Sequence, residues 1–458
     1  MTIENIAAAC EGTFVGDRDL VTKEIAGAVT DSRQVQKDYL FIPIKGARVD
    51  GHDFIPQVFE KGALVVLSDH ALPEETGPYI LVSSTTEAMK KIAAFYRTQL
   101  SCKVVGITGS VGKTSTKEMI ASVLEQRYKV LKTEGNFNNE IGLPLTIFKI
   151  RAKHEVTVLE MGISDFGEMH RLAAMARPDI GVITNIGLCH LENLGTRDGI
   201  LQAKTEMFDH LQVDGTVILN GDDDKLSTKQ EVNGKPVIFY GVGADSAFDI
   251  KKDIYATDIE NHGLEGMRAK IHTPQGDFDA QIPIPGEHNV YNALAGTAVG
   301  LQLGLSIREI AQGIASVQTI AGRTNLLHVK GMTVIDDCYN ANPVSMKASI
   351  DVLAHTSGRR IAVLGDMGEL GAEEKELHRN IGKAVAASGI DALFCAGTLA
   401  EEYAREAKAN PECEVHYKKT REEMTEELLA YVKEGDTVLV KASHFMEFPK
   451  VVEALTKE

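Results

Sequence analysis

The stretch Val104-Val105-Gly106-Ile107-Thr108-Gly109-Ser110-Val111-Gly112-Lys113-Thr114-Ser115 constrains this chain more than any other. β-Branched residues close a short apolar run, glycines follow, and Lys113-Thr114 opens a segment where Met119, Ile120, Val123 and Leu124 recur at helical spacing. That order predicts strand, glycine-rich loop, helix. Small residues let backbone N–H groups turn in around an anion, the helix start adds its positive end, Lys113 supplies a cation, and the Thr114 hydroxyl can hold Mg²⁺. Gly109, Ser110, Val111, Gly112, Lys113, Thr114 and Ser115 are therefore candidates to cradle a nucleoside triphosphate. A strict loop of this kind carries glycine where this chain has Ile107, and its glycines are Gly106, Gly109 and Gly112. A glycine-rich turn ahead of a helix is the plainer alternative.

A chain of 458 residues has room for about three ordinary domains. With 43% apolar and 25% charged residues it has the composition of a soluble globular protein. Its 48 basic against 65 acidic residues, a net charge of −17, argue against a general nucleic-acid surface. No apolar run is long enough for a membrane span, and Met1-Thr2-Ile3-Glu4-Asn5 lacks the basic start of a secretory leader, so a cytoplasmic location is expected. The six cysteines are scattered, with no paired spacing for zinc or disulfides. Monomer is the default expectation.

Before the loop, residues 1–99 alternate short strands and turns. Ser32, Arg33, Lys45 and Arg48 offer hydroxyl and cationic donors to an anionic ligand, or simply sit in solvated turns. A helix-like segment gives way to the loop's strand near Tyr96 to Ser101, which sets a boundary. After the loop helix, Thr133-Glu134-Gly135-Asn136-Phe137-Asn138-Asn139-Glu140-Ile141-Gly142-Leu143-Pro144 reads as an ordered loop whose amides can meet a polar ligand, or as a turn. Glu160 ends the strand-like run Glu155–Glu160, where it would project into the same crevice as a metal ligand or water-positioner. His190 follows a third such strand and is a candidate for a metal or phosphate role, or an ordinary satisfied histidine.

Lys204 lies on the same helical face as Ile200 and Phe208, in a helix expected to run on through Leu211. An ammonium there either snorkels or is chemically altered. In the second case a lowered pKa lets the amine take up CO₂, giving a carbamate that acts as a carboxylate toward a metal. Residues 231–285 read as β-rich and peripheral. Asn289 and Asn292, three apart on the next helix, can read an adenine edge or cap the helix. A third unit begins near Thr319 with Arg323, then the strand Thr333–Asp337 and the loop Cys338-Tyr339-Asn340-Ala341-Asn342-Pro343. The later Gly365-x-x-Gly368-x-x-Gly371 has the wrong spacing for a dinucleotide fingerprint and reads as an α/β turn.

Taken together, these stretches resemble the Mur ligase family, ATP-dependent enzymes that join an amino acid or dipeptide to a UDP-linked muropeptide. The resemblance covers nearly the whole chain. It implies an α/β fold in three domains: a small mixed α/β N-terminal domain (1–99) for the UDP-muropeptide, a central P-loop-type parallel-sheet ATPase domain (100–318), and a C-terminal Rossmann-like domain (319–458). The variant phosphate loop of that family is similar to Thr108–Thr114 here. By the same resemblance Lys113, Glu160, His190 and Lys204 are catalytic, and Thr114, Glu160, His190 and carbamoylated Lys204 hold two Mg²⁺ ions. The resemblance assigns Asn292, Arg323 and Asp337 to the nucleotide, with Asp336 as the alternative for the ribose.

Within the family, Asp336–Pro343 resembles the members that add D-alanyl-D-alanine to UDP-N-acetylmuramoyl-tripeptide through an acyl phosphate. Ser32, Arg33, Lys45, Asn136, Asn138 and Asn139 would then contact the muropeptide, and Asn340 with Asn342 the dipeptide. The chain departs from the pattern at Lys441-Ala442-Ser443-His444, where Lys-Gly-Ser-Arg is expected. Readings that compete are another member of the superfamily, such as the preceding amino-acid-adding ligase or a folylpolyglutamate synthase, and an NTPase that couples hydrolysis to a partner.

Overall fold

Three large sheets follow one another along the chain in the computed structural model, which describes residues 1–457. The first contains β1 (Thr13–Val15), β2 (Gly27–Val29), β3 (Tyr39–Phe41), β4 (Val65–Ser68) and β5 (Tyr79–Leu81), in the order β1-β5-β4-β3-β2. Only β1 runs antiparallel to its neighbour. The helix Thr85–Thr98, capped by Ser84, then leads to the second sheet.

That sheet has nine strands. Its central part is built from β6 (Lys103–Thr108), β7 (Val130–Lys132), β8 (Val156–Glu160), β9 (Ile180–Ile183) and β10 (Thr216–Asn220). A separate hairpin pairs β11 (Glu231–Val232) with β12 (Lys235–Pro236). Then β13 (Ile238–Val242), β14 (Ile254–Asn261), β15 (Met267–Thr273) and β16 (Gly276–Ile282) extend the sheet outward, in the order β16-β15-β14-β13-β10-β9-β6-β8-β7. The β-rich stretch expected at the periphery is thus an edge of the central sheet. Parallel pairing runs from β7 to β14, and β15 and β16 add an antiparallel edge to what the sequence predicts as a parallel sheet.

Central strands of such a sheet are covered on both faces, so they read as almost continuous apolar runs. Alternate residues feed opposite cores. Val104, Leu159, Ile183 and Leu219 pack in one cluster, and Val105, Ile107, Val158, Val182 and Ile218 in the other. The first cluster continues without a break into Ile3, Leu40, Ile80 and Ile92, so the N-terminal sheet shares its core with one face of the central one. The second is closed by the helices Lys113–Leu124 and His288–Gln302.

The third sheet comprises β17 (Asn325–Val329), β18 (Met332–Asp336), β19 (Arg359–Gly365), β20 (Ala392–Ala396), β21 (Glu414–Lys418) and β22 (Asp436–Lys441). Its order is β17-β18-β22-β19-β20-β21, with only β17 antiparallel. Two cores again split by alternation: Ile335, Leu364 and Leu439 on one face, Val334, Val363 and Val440 on the other. The segment Gly365–Gly371 is the turn between β19 and the helix Glu374–Ala387, as its glycine spacing predicts. Among the described residues no helix is long and apolar enough to cross a membrane.

Two local departures from the sequence-based expectation have clear causes. The helix carrying Lys204 ends at Thr205 and tightens into a 3₁₀ segment over Glu206–His210. The Thr205 hydroxyl donates back to Leu201 O at 2.9 Å, a bond that bends helices and helps end this one. The asparagine-rich stretch after the loop helix stays irregular only to Ile141, because Asn139 Oδ1 accepts the Gly142 N–H at 2.8 Å and starts the helix Gly142–Ile147.

Candidate active site

β6 lies between β8 and β9, where the order of the parallel strands reverses, and ligands of open α/β sheets bind outside the carboxyl ends of strands at such a point. Register brings the neighbouring strand ends level: Ile107 pairs with Glu160 and Thr108 with Ile183. The loop that follows β6 turns at Gly109 (φ +152°) and Gly112 (φ +83°) before the helix begins at Lys113. A Cβ at Gly109 would stand 1.9 Å from Thr184 Oγ1, so only glycine lets the loop pass the end of β9. Asn185 accepts the Val111 N–H through Oδ1 at 3.0 Å and donates to Val111 O at 3.0 Å, which fixes the loop from the β9 side. Lys113 Nζ folds back onto Gly109 O at 2.9 Å.

Three adjoining cavities surround this loop. The first is lined by Val111, Gly112 and Ser115, by Asn292 and Tyr291 of the helix His288–Gln302, and by Arg323, Asp337, Ser349 and Lys441 of the third sheet's side. Asn292 is no helix cap. Its Oδ1 accepts from Thr116 at 2.7 Å and its Nδ2 donates to Asn289 at 2.8 Å. Asp337 is buried, with Oδ2 accepting from Lys441 Nζ at 2.7 Å and Ser349 at 2.5 Å, and Oδ1 accepting the Thr324 N–H at 3.1 Å. Burial alone would push its carboxyl up, but the Lys441 ammonium and the Ser349 hydroxyl hold it below the usual value. Asp336 faces the other way, accepting the Gly322 N–H at 2.8 Å and the Cys338 thiol at 2.9 Å. Of the two aspartates, Asp337 is the one on the cavity.

A second cavity joins Lys113 and Thr114 to Asn138, Asn139, Glu160, His190, Arg323, Asn340 and Asn342. Glu160 is 1% exposed, and its Oε1 accepts from Asn138 Nδ2 at 2.8 Å and from the Thr114 hydroxyl at 3.2 Å. Its Oε2 is buried with no hydrogen-bond partner, 3.8 Å from the fully buried Lys117 ammonium, which itself donates to Thr133 O. A carboxylate oxygen left without a donor beside a hydroxyl is a fitting pair of hard ligands for Mg²⁺. Arg323 closes this region: its Nη2 donates to Thr114 Oγ1 at 3.4 Å and its guanidinium lies 4.1 Å from the centre of the Tyr339 ring. Asn136 meets the Tyr339 side chain.

The third cavity shares Ser110, Lys113, His190, Asn340 and Asn342 and adds Cys189, Glu369, His444 and Phe445. His190 sits in the left-handed region (φ +52°) with Nδ1 2.8 Å from Glu369 Oε2. Burial lowers its pKa, with Glu369 acting in the opposite direction and the Lys113 and Lys204 ammonium groups adding to the fall. Lys204, 1% exposed, is brought down to about 8, first by burial and then by Lys113. Snorkelling is therefore excluded, and no carboxylate pairs with Lys204 among the described residues. An amine so placed takes up CO₂ far more readily than a solvated lysine, which fits the carbamate and, with His190, a second cation.

Not every residue singled out in the sequence converges here. Ser32, Arg33, Lys45, Asn136 and Lys204 line none of the three cavities. Ser32 and Arg33 lie in the segment after β2 and Lys45 in that after β3, with Arg33 paired to Asp31 at 2.7 Å and Ser32 O accepting from Lys61 Nζ at 2.8 Å. Asn139 and Asn342 border cavities but spend their side-chain oxygens on helix starts, Asn342 on the Ser345 N–H at 2.9 Å. Asn340 turns its Oδ1 to the Ala341 N–H at 2.9 Å. Sequence reasoning missed Asn185, Tyr291, Glu369 and Lys441, whose roles come from long-range pairing rather than from a local pattern.

A phosphate loop at a sheet switch point, walled by a helix of its own sheet and roofed by a cation and a carboxylate from another, defines a nucleotide-dependent α/β enzyme with its site between domains. Family models agree with that class along the chain: the Mur ligase family, catalytic domain over residues 24–97, the Mur ligase middle domain over 107–300, and the Mur ligase, glutamate ligase domain over 322–444. A UDP-N-acetylmuramoyl-tripeptide–D-alanyl-D-alanine ligase of Bacillus subtilis is 39% identical over 99% of this chain and 98% of its own length. The protein of that name from Escherichia coli is 34% identical over 95% of this chain and 96% of its own. Among solved structures, MurF from Acinetobacter baumannii superposes with a TM-score of 0.89 at 31% identity, covering 100% of this chain and 99% of that one. MurF ligase from Thermotoga maritima in complex with ADP superposes at 0.81 with 31% identity, covering 94% and 97%. The chain belongs to the Mur ligase family.

Proposed function

We propose that this chain is an ATP-dependent amide ligase that joins D-alanyl-D-alanine to UDP-N-acetylmuramoyl-tripeptide, releasing ADP and phosphate and forming the pentapeptide precursor of peptidoglycan. The observation that carries the reading is the phosphate loop shared by three cavities, together with full-length relatives of that name at 39% and 34% identity. The three cavities divide the reactants among them. The first, with Asn292 and Asp337, accepts the nucleoside of ATP. The second accepts its phosphates and the carboxyl end of the tripeptide, and the third, with Asn340, Asn342 and His444, the dipeptide.

The γ-phosphoryl group passes to a carboxylate oxygen of the tripeptide and ADP leaves. The dipeptide amine then attacks the acyl carbon, phosphate departs with the C–O bond, and the amine proton goes to solvent. Lys113, released from Gly109 O, and the loop amides offset charge on the phosphoryl group in flight. Arg323 adds a cation from the third sheet. Thr114 with Glu160, and His190 with carbamoylated Lys204, would hold two Mg²⁺ ions, which when bound neutralise phosphate charge and offset its repulsion of the acceptor carboxylate. Residues 1–99 would hold the UDP end through Ser32, Arg33 and Lys45, and residues 319–458 would present the dipeptide. A cytoplasmic monomer completes the reading.

The test is phosphate release from ATP with and without each substrate, while the UDP-linked product is weighed by mass spectrometry. Release that requires both substrates and yields the pentapeptide is expected. Release that requires neither would replace this reading with that of an NTPase.

A further inference from the structure

The N-terminal sheet carries a cluster that the ligation chemistry does not use. β3 and β4 are parallel neighbours, so the segments that follow them leave the sheet at the same end. One leads to the short 3₁₀ helix Gly51–Phe54, which holds His52, and the other is Asp69-His70. Ser68, at the end of β4, donates its hydroxyl to His70 O at 2.6 Å and fixes the second segment. None of these residues lines the three cavities of the active site.

The geometry around His52 suits a metal ligand. Asp50 Oδ1 accepts both the His52 backbone N–H at 3.0 Å and the ring at Nδ1, 2.6 Å away. That bond keeps the proton on Nδ1 and directs the lone pair through Nε2, as a carboxylate behind a metal-bound histidine does. The His52 side chain is only 7% exposed and Nε2 has no hydrogen-bond partner. What Nε2 faces is Asp69 Oδ1 at 3.4 Å, a lone pair against a carboxylate. His70 completes the group with Nδ1 2.7 Å from the same oxygen and its ring centroid 5.0 Å from that of His52. The donor atoms of His52, Asp69 and His70 lie within 4.8 Å of one another.

We propose that His52, Asp69 and His70 form a divalent-metal site for an ion of the zinc class. Two imidazoles and one carboxylate are its usual three-protein-ligand set, and bonds of about 2.0–2.1 Å in a tetrahedron set donors about 3.3 Å apart, the spacing of His52 Nε2 and Asp69 Oδ1. Binding exchanges the His70–Asp69 hydrogen bond for two metal bonds and removes the unfavourable facing of Nε2 and carboxylate. Asp69 and His70 are 40% and 57% exposed, so the fourth position opens to solvent. The ion would pin the segment after β4 to the segment after β3. A proton shared in its place would make His52 an imidazolium between Asp50 and Asp69.

Calorimetric titration of the full chain with ZnCl₂, in buffer holding millimolar MgCl₂, separates the two. Expected is one tight Zn²⁺ equivalent, weakened tenfold or more in His70→Ala and Asp69→Asn, with ligation rate and Mg²⁺ dependence unchanged in both variants. Cobalt substituted into the site should show tetrahedral visible absorption that both variants lose. His210→Ala serves as the control, because His210 Nε2 and His170 Nδ1, 3.0 Å apart, are another histidine pair. Zn²⁺ binding that is absent in the wild type, unchanged in both site variants, or lost in His210→Ala would overturn the assignment.

Discussion

Replacing Lys204 by methionine should make the protein more stable and disable it as a ligase. The side chain is 1% exposed, and burial brings its ammonium from 10.5 down to about 8. The folded state therefore binds this proton more weakly than the unfolded state does. Linkage turns that difference into a penalty of about 3 kcal/mol at pH 7, which is present in full below pH 8, fades as pH rises toward 10.5 and is absent above it. Lys204→Met, similar in volume, removes the penalty. Urea unfolding in CO₂-free buffer should show the variant more stable by up to about 3 kcal/mol at pH 7 and by almost nothing near pH 11. The same shift leaves about one amine in ten neutral at pH 7, against about one in three thousand for a solvated lysine, and only the neutral amine takes up CO₂. Bicarbonate should accordingly raise the stability of the wild type and leave the variant unmoved. Phosphate release coupled to pentapeptide formation should fall by about 10²-fold or more in the variant, as for loss of a group acting at the transition state. Equal stability of the two proteins at pH 7, or ligation at the wild-type rate in the variant, would refute the reasoning.

Gly109→Ala should lose most nucleotide binding and lower the unfolding midpoint, because the new Cβ would enter the Thr184 hydroxyl at 1.9 Å; ADP titration and thermal melting check it. Asp337→Asn should raise the KM for ATP about tenfold and cost a few kcal/mol, since Lys441 is left buried without its counter-charge, whereas Asp336→Asn should leave that KM near the wild-type value. Measured ATP saturation curves that respond equally in both would exchange their roles. Glu160→Gln keeps the shape of the side chain but takes charge from the orphaned oxygen, so the Mg²⁺ concentration for half-maximal phosphate release should rise tenfold or more.

The sequence makes the phosphate loop legible because every property it needs is local: apolar strand, glycines at the turns, lysine and threonine at the helix start. Glu160 follows from the same logic, as the last residue of a parallel strand, and His190 as part of the segment that follows the next one. Lys204 is visible as a cation on an apolar face, though the back-bond from Thr205 that ends its helix is not. Other features are set by pairing between distant segments, which no periodicity records. Glu369 reaches His190 across the boundary between sheets, Lys441 neutralises Asp337 from β22, and the N-terminal core merges with the central one. The asparagines show the opposite case. Asn139 and Asn342 look like ligand-binding amides in sequence, but helix starts claim their side-chain oxygens.

The contact between Arg323 and Thr114 joins positions 209 residues apart. Chains are made from the N-terminus at about 5–20 residues per second, so the phosphate loop leaves the ribosome roughly ten to forty seconds before the arginine that will cover it. During that interval the nascent chain holds a loop able to grip a triphosphate with no cation to cover it and without Asp337, which with Asn292 faces the nucleoside cavity. On the reading proposed here, the last third of the chain to be synthesised is what completes and shuts the nucleotide cavity, and a product truncated before Arg323 would fold much of its core yet never acquire a closed site.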